Sequence, residues 1–294
     1  MSEGARGQTP RAHVDGQTAT LAARGLTPHP AGAGAAPAAR DLTPLYAHGL
    51  AEGAALLALA AWWLTARNLP EFVLPGPATV LATLARFATD PGLAWHLGIS
   101  FARVIAAVAI AMALGMTLAM LARPSPAFAA VVERRILVIL NSFPSVGWAI
   151  LGVVWFGVSN LTVIFIEVAI VLPFCLANAL EGFRNIDTEL EEMGRSFGRS
   201  RWRRFTRLTL PLVMPFLAAG LRIVFGICWK IALVAELFGA QSGLGFLMLQ
   251  AQSTANAAMV FACCFVIVIV VFAVDRLALA PLARAYSRNK GAPS

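Results

Sequence analysis

The sequence predicts an all-α membrane protein with six transmembrane helices. Three observations carry that prediction. Of 294 residues, 59% are hydrophobic and only 13% are charged, which is far from an ordinary soluble composition. The apolar residues gather in runs of about 20, the length a helix needs to cross a bilayer. The arginines behind the net charge of +8 sit in loops and tails beside those runs. Membrane topology places them so, and nucleic-acid binding does not. Membrane lipid is therefore an expected partner, and no nucleic acid is.

Residues 1–48 are rich in Ala, Gly, Pro, Thr and Arg with little apolar periodicity, so they read as a disordered cytoplasmic tail. No apolar core follows the early arginines, and no cleavable signal is expected. A transmembrane domain is expected over 49–285. Its first span, 50–66, closes on the interfacial aromatics Trp62 and Trp63. After Pro75 and Pro77 comes a weakly amphipathic helix, 78–88. The second span, 99–122, carries Ser100 and Arg103 at its head. Arg103 reads as a side chain that snorkels to headgroups or pairs with an acid. Arg123, Arg134 and Arg135 then mark a cytoplasmic loop.

The third span, 136–158, is broken at Asn141, Ser142, Phe143, Pro144 and Ser145. A proline removes a backbone donor, and the carbonyl it frees needs a partner or a wet cavity. Broken helices line substrate paths in transporters. Asn141, Ser142 and Pro144 are therefore candidate path residues, with a plain structural kink as the alternative. The fourth span, 161–180, contains Glu167. The fifth, 212–237, carries Arg222, Lys230 and Glu236. Gly243, Leu244 and Gly245 read as a tight external loop before the sixth span, 257–279, and 286–294 form a basic cytoplasmic tail.

Glu167, Lys230 and Glu236 complete the candidate path. A lone charge at mid-bilayer costs about 3 kcal/mol. Glu167 and Lys230 pair, or Lys230 faces the path and helps pass an anion, two readings that do not exclude each other, with snorkelling of Lys230 as a third. An ion-coupled secondary transporter using Glu167 is an alternative function. Cys175, Cys228, Cys263 and Cys264 lie in apolar runs without disulfide or zinc spacing and read as packing residues. No metal site is expected. The chain lacks a phosphate-binding Gly-x-x-x-x-Gly-Lys-Ser/Thr motif and any nucleophile–base constellation, so it is not expected to be an enzyme.

The loop between the fourth and fifth spans, about 181–211, runs from acids (Glu181, Asp187, Glu189, Glu191, Glu192) to arginines (Arg195, Arg199, Arg201, Arg203, Arg204, Arg207). Ile186, Leu190, Met193 and Phe197 recur at helical steps, which predicts a short amphipathic helix with an apolar face for a partner. Acids first and arginines last also suit the helix dipole.

The spacing of Glu192, Met193, Gly194, Gly198, Leu208, Leu210 and Pro211 resembles the cytoplasmic loop signature of ABC-importer permeases. Leu208 stands for the usual Ile, and Met193 for a usual Ala. Ser100 with Arg103, the run Trp155-Phe156-Gly157, the run from Gly220 to Ile223, Trp229, Ala235-Glu236 and Ser242 to Gly245 resemble the nitrate, sulfonate and taurine subfamily. The resemblance implies the ABC type I importer permease fold, with a coupling helix between helices 4 and 5. It implies a homodimer in the bacterial cytoplasmic membrane, with both termini inside. The implied partners are two ATP-binding subunits and a periplasmic or lipid-anchored substrate-binding protein. ATP and Mg would be bound by the partner ATPase, leaving no cofactor in this chain. Glu192, Met193, Gly194, Phe197, Gly198, Arg199, Leu208, Leu210 and Pro211 are the implied coupling residues. The subfamily carries sulfonates, taurine and nitrate, and some members carry thiamine-precursor pyrimidines.

Overall fold

In the computed structural model of the chain, the described residues are 43–186 and 205–282, with Glu189, Glu192, Arg203 and Arg284. The chain divides into two compact units, 1–55 and 56–294. The described residues of the first belong to helix α1 (Thr43–Ala66), which starts inside the segment expected as tail. The second holds α2 (Pro77–Thr89), α3 (Pro91–Ala122), α4 (Pro126–Ser142), α5 (Ser145–Phe156), α6 (Asn160–Arg184), α7 (Phe205–Gly239), α8 (Leu244–Ser253) and α9 (Ala257–Leu282). Among the described residues there is no strand.

Helix starts follow local capping chemistry. Asp90 accepts from Gly92 N at 2.8 Å ahead of α3, with Pro91 in the first turn. Ser125 opens α4, Ser159 opens α6 and Asn256 opens α9 in the same manner. Each side chain satisfies a backbone N–H that the helix leaves without a partner. Helices α2, α5 and α8 start without such a cap. At α8 no side chain of the cap residue, Gly243, serves the helix.

Packing centres on α3, α6 and α7. The buried face of α3 is built from small residues, Ala107, Ala111, Gly115, Ala119 and Ala122. Small residues let membrane helices approach closely. At Gly115 a Cβ would stand 2.9 Å from the backbone nitrogen of Leu176, so α3 and α6 meet there almost backbone to backbone. On α2, Val80, Leu84 and Phe87 recur at steps of four and three and turn one face inward, and α2 packs on α9. Trp62 Nε1 donates to Pro75 O at 3.1 Å, and its ring stacks on Phe261 and Phe265.

Four helices are long and apolar enough to span a bilayer: α3, α6, α7 and α9. The α4–α5 pair makes a fifth if a chain bent by 82° at Phe143-Pro144 counts as one span. The expected count of six is thus not reached among the described residues. Helix α1 runs 24 residues, Thr43–Ala66, which at about 1.5 Å per residue matches a hydrocarbon core roughly 30 Å thick, although only its Glu52–Ala66 stretch counts as apolar.

The expected external loop at 243–245 is in fact the start of a ten-residue helix, α8. Its far end closes on Ala255, whose φ of 53° puts a Cβ-bearing residue in the left-handed region. That conformation costs an alanine about 1 kcal/mol or more. Ala255→Gly is therefore expected to raise the unfolding temperature in detergent by a degree or more, with the gain capped by glycine's larger unfolded-state entropy.

Candidate functional site

Three helices and one turn bring their polar residues together in the interior. His96, Ser100 and Arg103 lie at steps of four and three on α3, so they share one face. Arg103 and Glu236 are 3% and 1% exposed, and Arg103 Nη1 meets Glu236 Oε1 at 2.7 Å. The rest of the guanidinium is used too. Nη1 also donates to Ser242 O at 2.7 Å, Nη2 donates to Ser242 Oγ at 2.9 Å, and Nε donates to Asn160 Oδ1 at 3.1 Å. The fork geometry of arginine allows this many simultaneous bonds, and a lysine would not.

Glu236 then completes a cap. Ser100 Oγ donates to its carboxylate, at 2.7 and 2.9 Å from the two oxygens. Leu244 N donates to Ser100 Oγ at 2.8 Å, Gly245 N to Glu236 Oε2 at 2.9 Å and Gly243 N to His96 Nδ1 at 2.9 Å. The first N–H groups of α8 are thus satisfied by distant side chains, and a buried carboxylate lies at the positive end of the helix. Ser159 N, which donates to Gly239 O at 3.0 Å, ties the start of α6 to the end of α7. Every charge in the cluster is paired and shielded from solvent. Chemically it is a tie that fixes the α7–α8 turn against α3 and α6.

Arg103 does not snorkel to headgroups. The acid it pairs with is Glu236, because α7 carries that carboxylate to the same depth as the head of α3. Glu167 and Lys230 do not pair either. Glu167 is fully buried, and Cys228 Sγ lies 3.8 Å from its Oε2. Its Oε1 is buried with no protein hydrogen-bond partner. Residues two apart on a helix point about 200° away from each other. With Cys228 turned toward Glu167, Lys230 turns outward, and it is exposed.

At the α4–α5 bend, Asn141, Ser142 and Pro144 are exposed and line a cavity of about 350 Å³ with Trp148 and residues of α6. Asn141 Nδ2 donates to Leu137 O at 3.0 Å, which satisfies a carbonyl near the break. Of the coupling residues, Glu192 is helical and exposed, while Met193, Gly194, Phe197, Gly198 and Arg199 lie outside the described residues. Leu208, Leu210 and Pro211 form the start of α7, with Pro211 exposed. Asn160 and His96 have no role in the sequence reading, and Ser242 enters it only within the run Ser242 to Gly245 that carries the resemblance. The polar stripe at 96, 100 and 103 was the signal that could have grouped His96 with Ser100 and Arg103.

Residues 111–281, more than half of the chain, match the family described as "Binding-protein-dependent transport system inner membrane component". The chain belongs to that family. It is similar to the taurine transport system permease protein TauC of Escherichia coli, 28% identical over 77% of this chain and 84% of that one. The putative aliphatic sulfonates transport permease protein SsuC of Bacillus subtilis is 28% identical over 65% of this chain and 68% of its own. The nitrate import permease protein NrtB of Leptolyngbya laminosa is 26% identical over 60% and 64%. Among solved structures, the fold matches a chain of the MetNI methionine ABC transporter in an inward-facing conformation. The TM-score is 0.57 at 20% identity, over 66% of this permease and 95% of that chain. The permease is thus an ABC-importer membrane subunit with several membrane-crossing helices.

Proposed function

We propose that this permease forms the transmembrane half of an ATP-driven importer for a small anion, a sulfonate, taurine or nitrate. The observation that carries the reading is the set of relatives named for taurine, aliphatic sulfonates and nitrate, matched over 60 to 77% of the chain. Their common chemistry is a compact oxyanion. Lys230 supports it. A cation exposed on the middle of α7 is unfavourable against lipid by about 3 kcal/mol, and so it faces protein or a wet path.

Two copies assemble around the path and take substrate from a separate binding protein. The segment from Glu192 to Pro211 docks in a cleft of each ATP-binding subunit and transmits closure to α7. ATP and Mg stay with that partner, and this chain holds no cofactor. Both termini and the docking segment are cytoplasmic, consistent with the arginines that flank them.

The test is co-purification with the cognate ATPase, together with uptake of taurine, an alkanesulfonate and nitrate, for the wild type and for Glu192→Arg and Gly198→Trp. The wild type is expected to retain the ATPase and to lose uptake when ATP is depleted. Both variants are expected to insert normally and to lose at least tenfold in uptake. A folded wild type that holds no ATPase and transports without ATP would overturn the reading and return attention to ion coupling at Glu167.

A further inference from the structure

His96 is the one histidine in residues 56–294, since His13, His29 and His48 all precede them. Helix α3, which carries it near its start, runs 32 residues. That is about 48 Å, longer than a hydrocarbon core of roughly 30 Å. Centred on that core, the first turn and a half of α3 stands at headgroup level, and His96 is there and only half-buried. Protons from the adjoining water can reach it. Gly243 N donates to its Nδ1 at 2.9 Å, and the ring stacks on Phe246 with 6.1 Å between centroids. Nδ1 therefore holds a lone pair, and the neutral ring keeps its proton on Nε2. A second proton has only Nδ1 to go to. There it sets one N–H against the N–H of Gly243, and the start of α8 loses an acceptor. The charged groups that face the ring are Arg103 on its own helix and Glu236 on α7, while α8 carries none. Arg103 opposes the added charge and Glu236 favours it. Both Glu236 oxygens are already engaged by Arg103, Ser100 or Gly245 N, so a ring drawn toward them has to leave Gly243.

We propose that protonation of His96 unlatches the turn between α7 and α8, which makes the buried polar tie an acid-sensitive switch. Gly243 is the pivot. Once its N–H is released, a glycine is free to leave the φ of 109° that it holds here. Neutral His96 keeps the latch closed. The latch is therefore closed above the ordinary histidine range, about pH 6.5, and opens as the pH falls through it. Helix α7 is long enough to span, so the latch stands at the membrane face opposite the start of α7. That this face is the outer one rests on the cytoplasmic docking segment proposed above, and the latch itself does not.

The test is amide hydrogen exchange of the full-length permease in one detergent at about pH 7.5 and about pH 5, either side of the histidine range. Exchange in peptides covering 243–249 is corrected for the intrinsic rate at each pH. Wild-type protection there is expected to fall about tenfold at the lower pH, the size of one lost hydrogen bond. Peptides from the close α3–α6 contact around Gly115 are expected to hold theirs. His96→Asn sets a carbonyl oxygen near the place of Nδ1 and takes up no proton. It is expected to keep the protection of the wild type at the higher pH and to lose the pH dependence. His96→Ala, with no acceptor, is expected to show the lowered protection at both pH values. Equal wild-type protection at the two pH values would overturn the proposal. So would a wild-type drop that persists in either variant, or one shared by every span. No ATPase or solute enters the measurement, so its failure leaves the importer reading untouched.

Discussion

Arg103→Met is expected to destabilise the folded permease by about 3–5 kcal/mol, because it leaves Glu236 buried with no cation. The carboxylate would keep Ser100 and Gly245 N as donors and lose the guanidinium at 2.7 Å. Asn160 and Ser242 would lose their partner at the same stroke. Glu236→Met is expected to cost a similar amount for the mirror reason, and it also strips the cap from α8. The double variant Arg103→Met/Glu236→Met buries no charge and is expected to lose clearly less than the two singles added together. Thermal unfolding of the four proteins in one detergent measures the coupling. Should the single variants fail to insert, a double variant that inserts gives the same answer. Strictly additive losses would mean that the two side chains do not depend on each other. Arg103→Lys is expected to fall between wild type and methionine, since an ammonium keeps the charge and cannot reach Glu236, Asn160 and Ser242 together.

Much of the architecture was legible because a bilayer imposes simple rules. The second, fourth, fifth and sixth expected spans each coincide with a helix that starts or ends within a few residues, apart from the earlier starts of α3 and α7. Apolar length alone decides those elements. The break at Pro144 was legible for a local reason as well, since a proline there cannot continue the ladder. Pairing was not legible. Arg103 and Glu236 are 133 residues apart, and their meeting depends on the depth at which α3 and α7 cross. For Lys230 the sequence held no such signal either. Ile223, Ile227 and Val234 on its own face are as apolar as Phe225, Cys228, Ala232, Ala235 and Gly239, the face that the fold buries. Helix α8 was missed for another reason. Its cap is supplied by Ser100 and Glu236 rather than by a neighbouring Ser, Asp or Asn, so no local start signal precedes it.

That non-local cap makes Gly243 the position with least tolerance. Its φ of 109° and ψ of 175° lie in a region that only glycine occupies without strain, at a cost of about 1–3 kcal/mol for any other residue. A Cβ there would also run into the Glu236 carboxylate. Gly243→Ala is therefore expected to suffer twice, once in its own backbone and once by pushing Glu236 away from Ser100 and Arg103. The expected loss is at least as large as that of either charge deletion. It is read as unfolding temperature in detergent and yield of monodisperse protein. Gly98→Ala is the control, because a Cβ at that helical position meets nothing within 4 Å, and there the change is expected to be neutral or slightly stabilising. The two contributions at Gly243 can be separated. Adding Gly243→Ala to Glu236→Ala removes the collision and leaves the strain. Its further cost in that background is expected to shrink to the backbone share alone. A cost equal to that in the wild-type background would mean that the carboxylate is not what holds the turn, and the cap would then have to rest on Ser100 and His96.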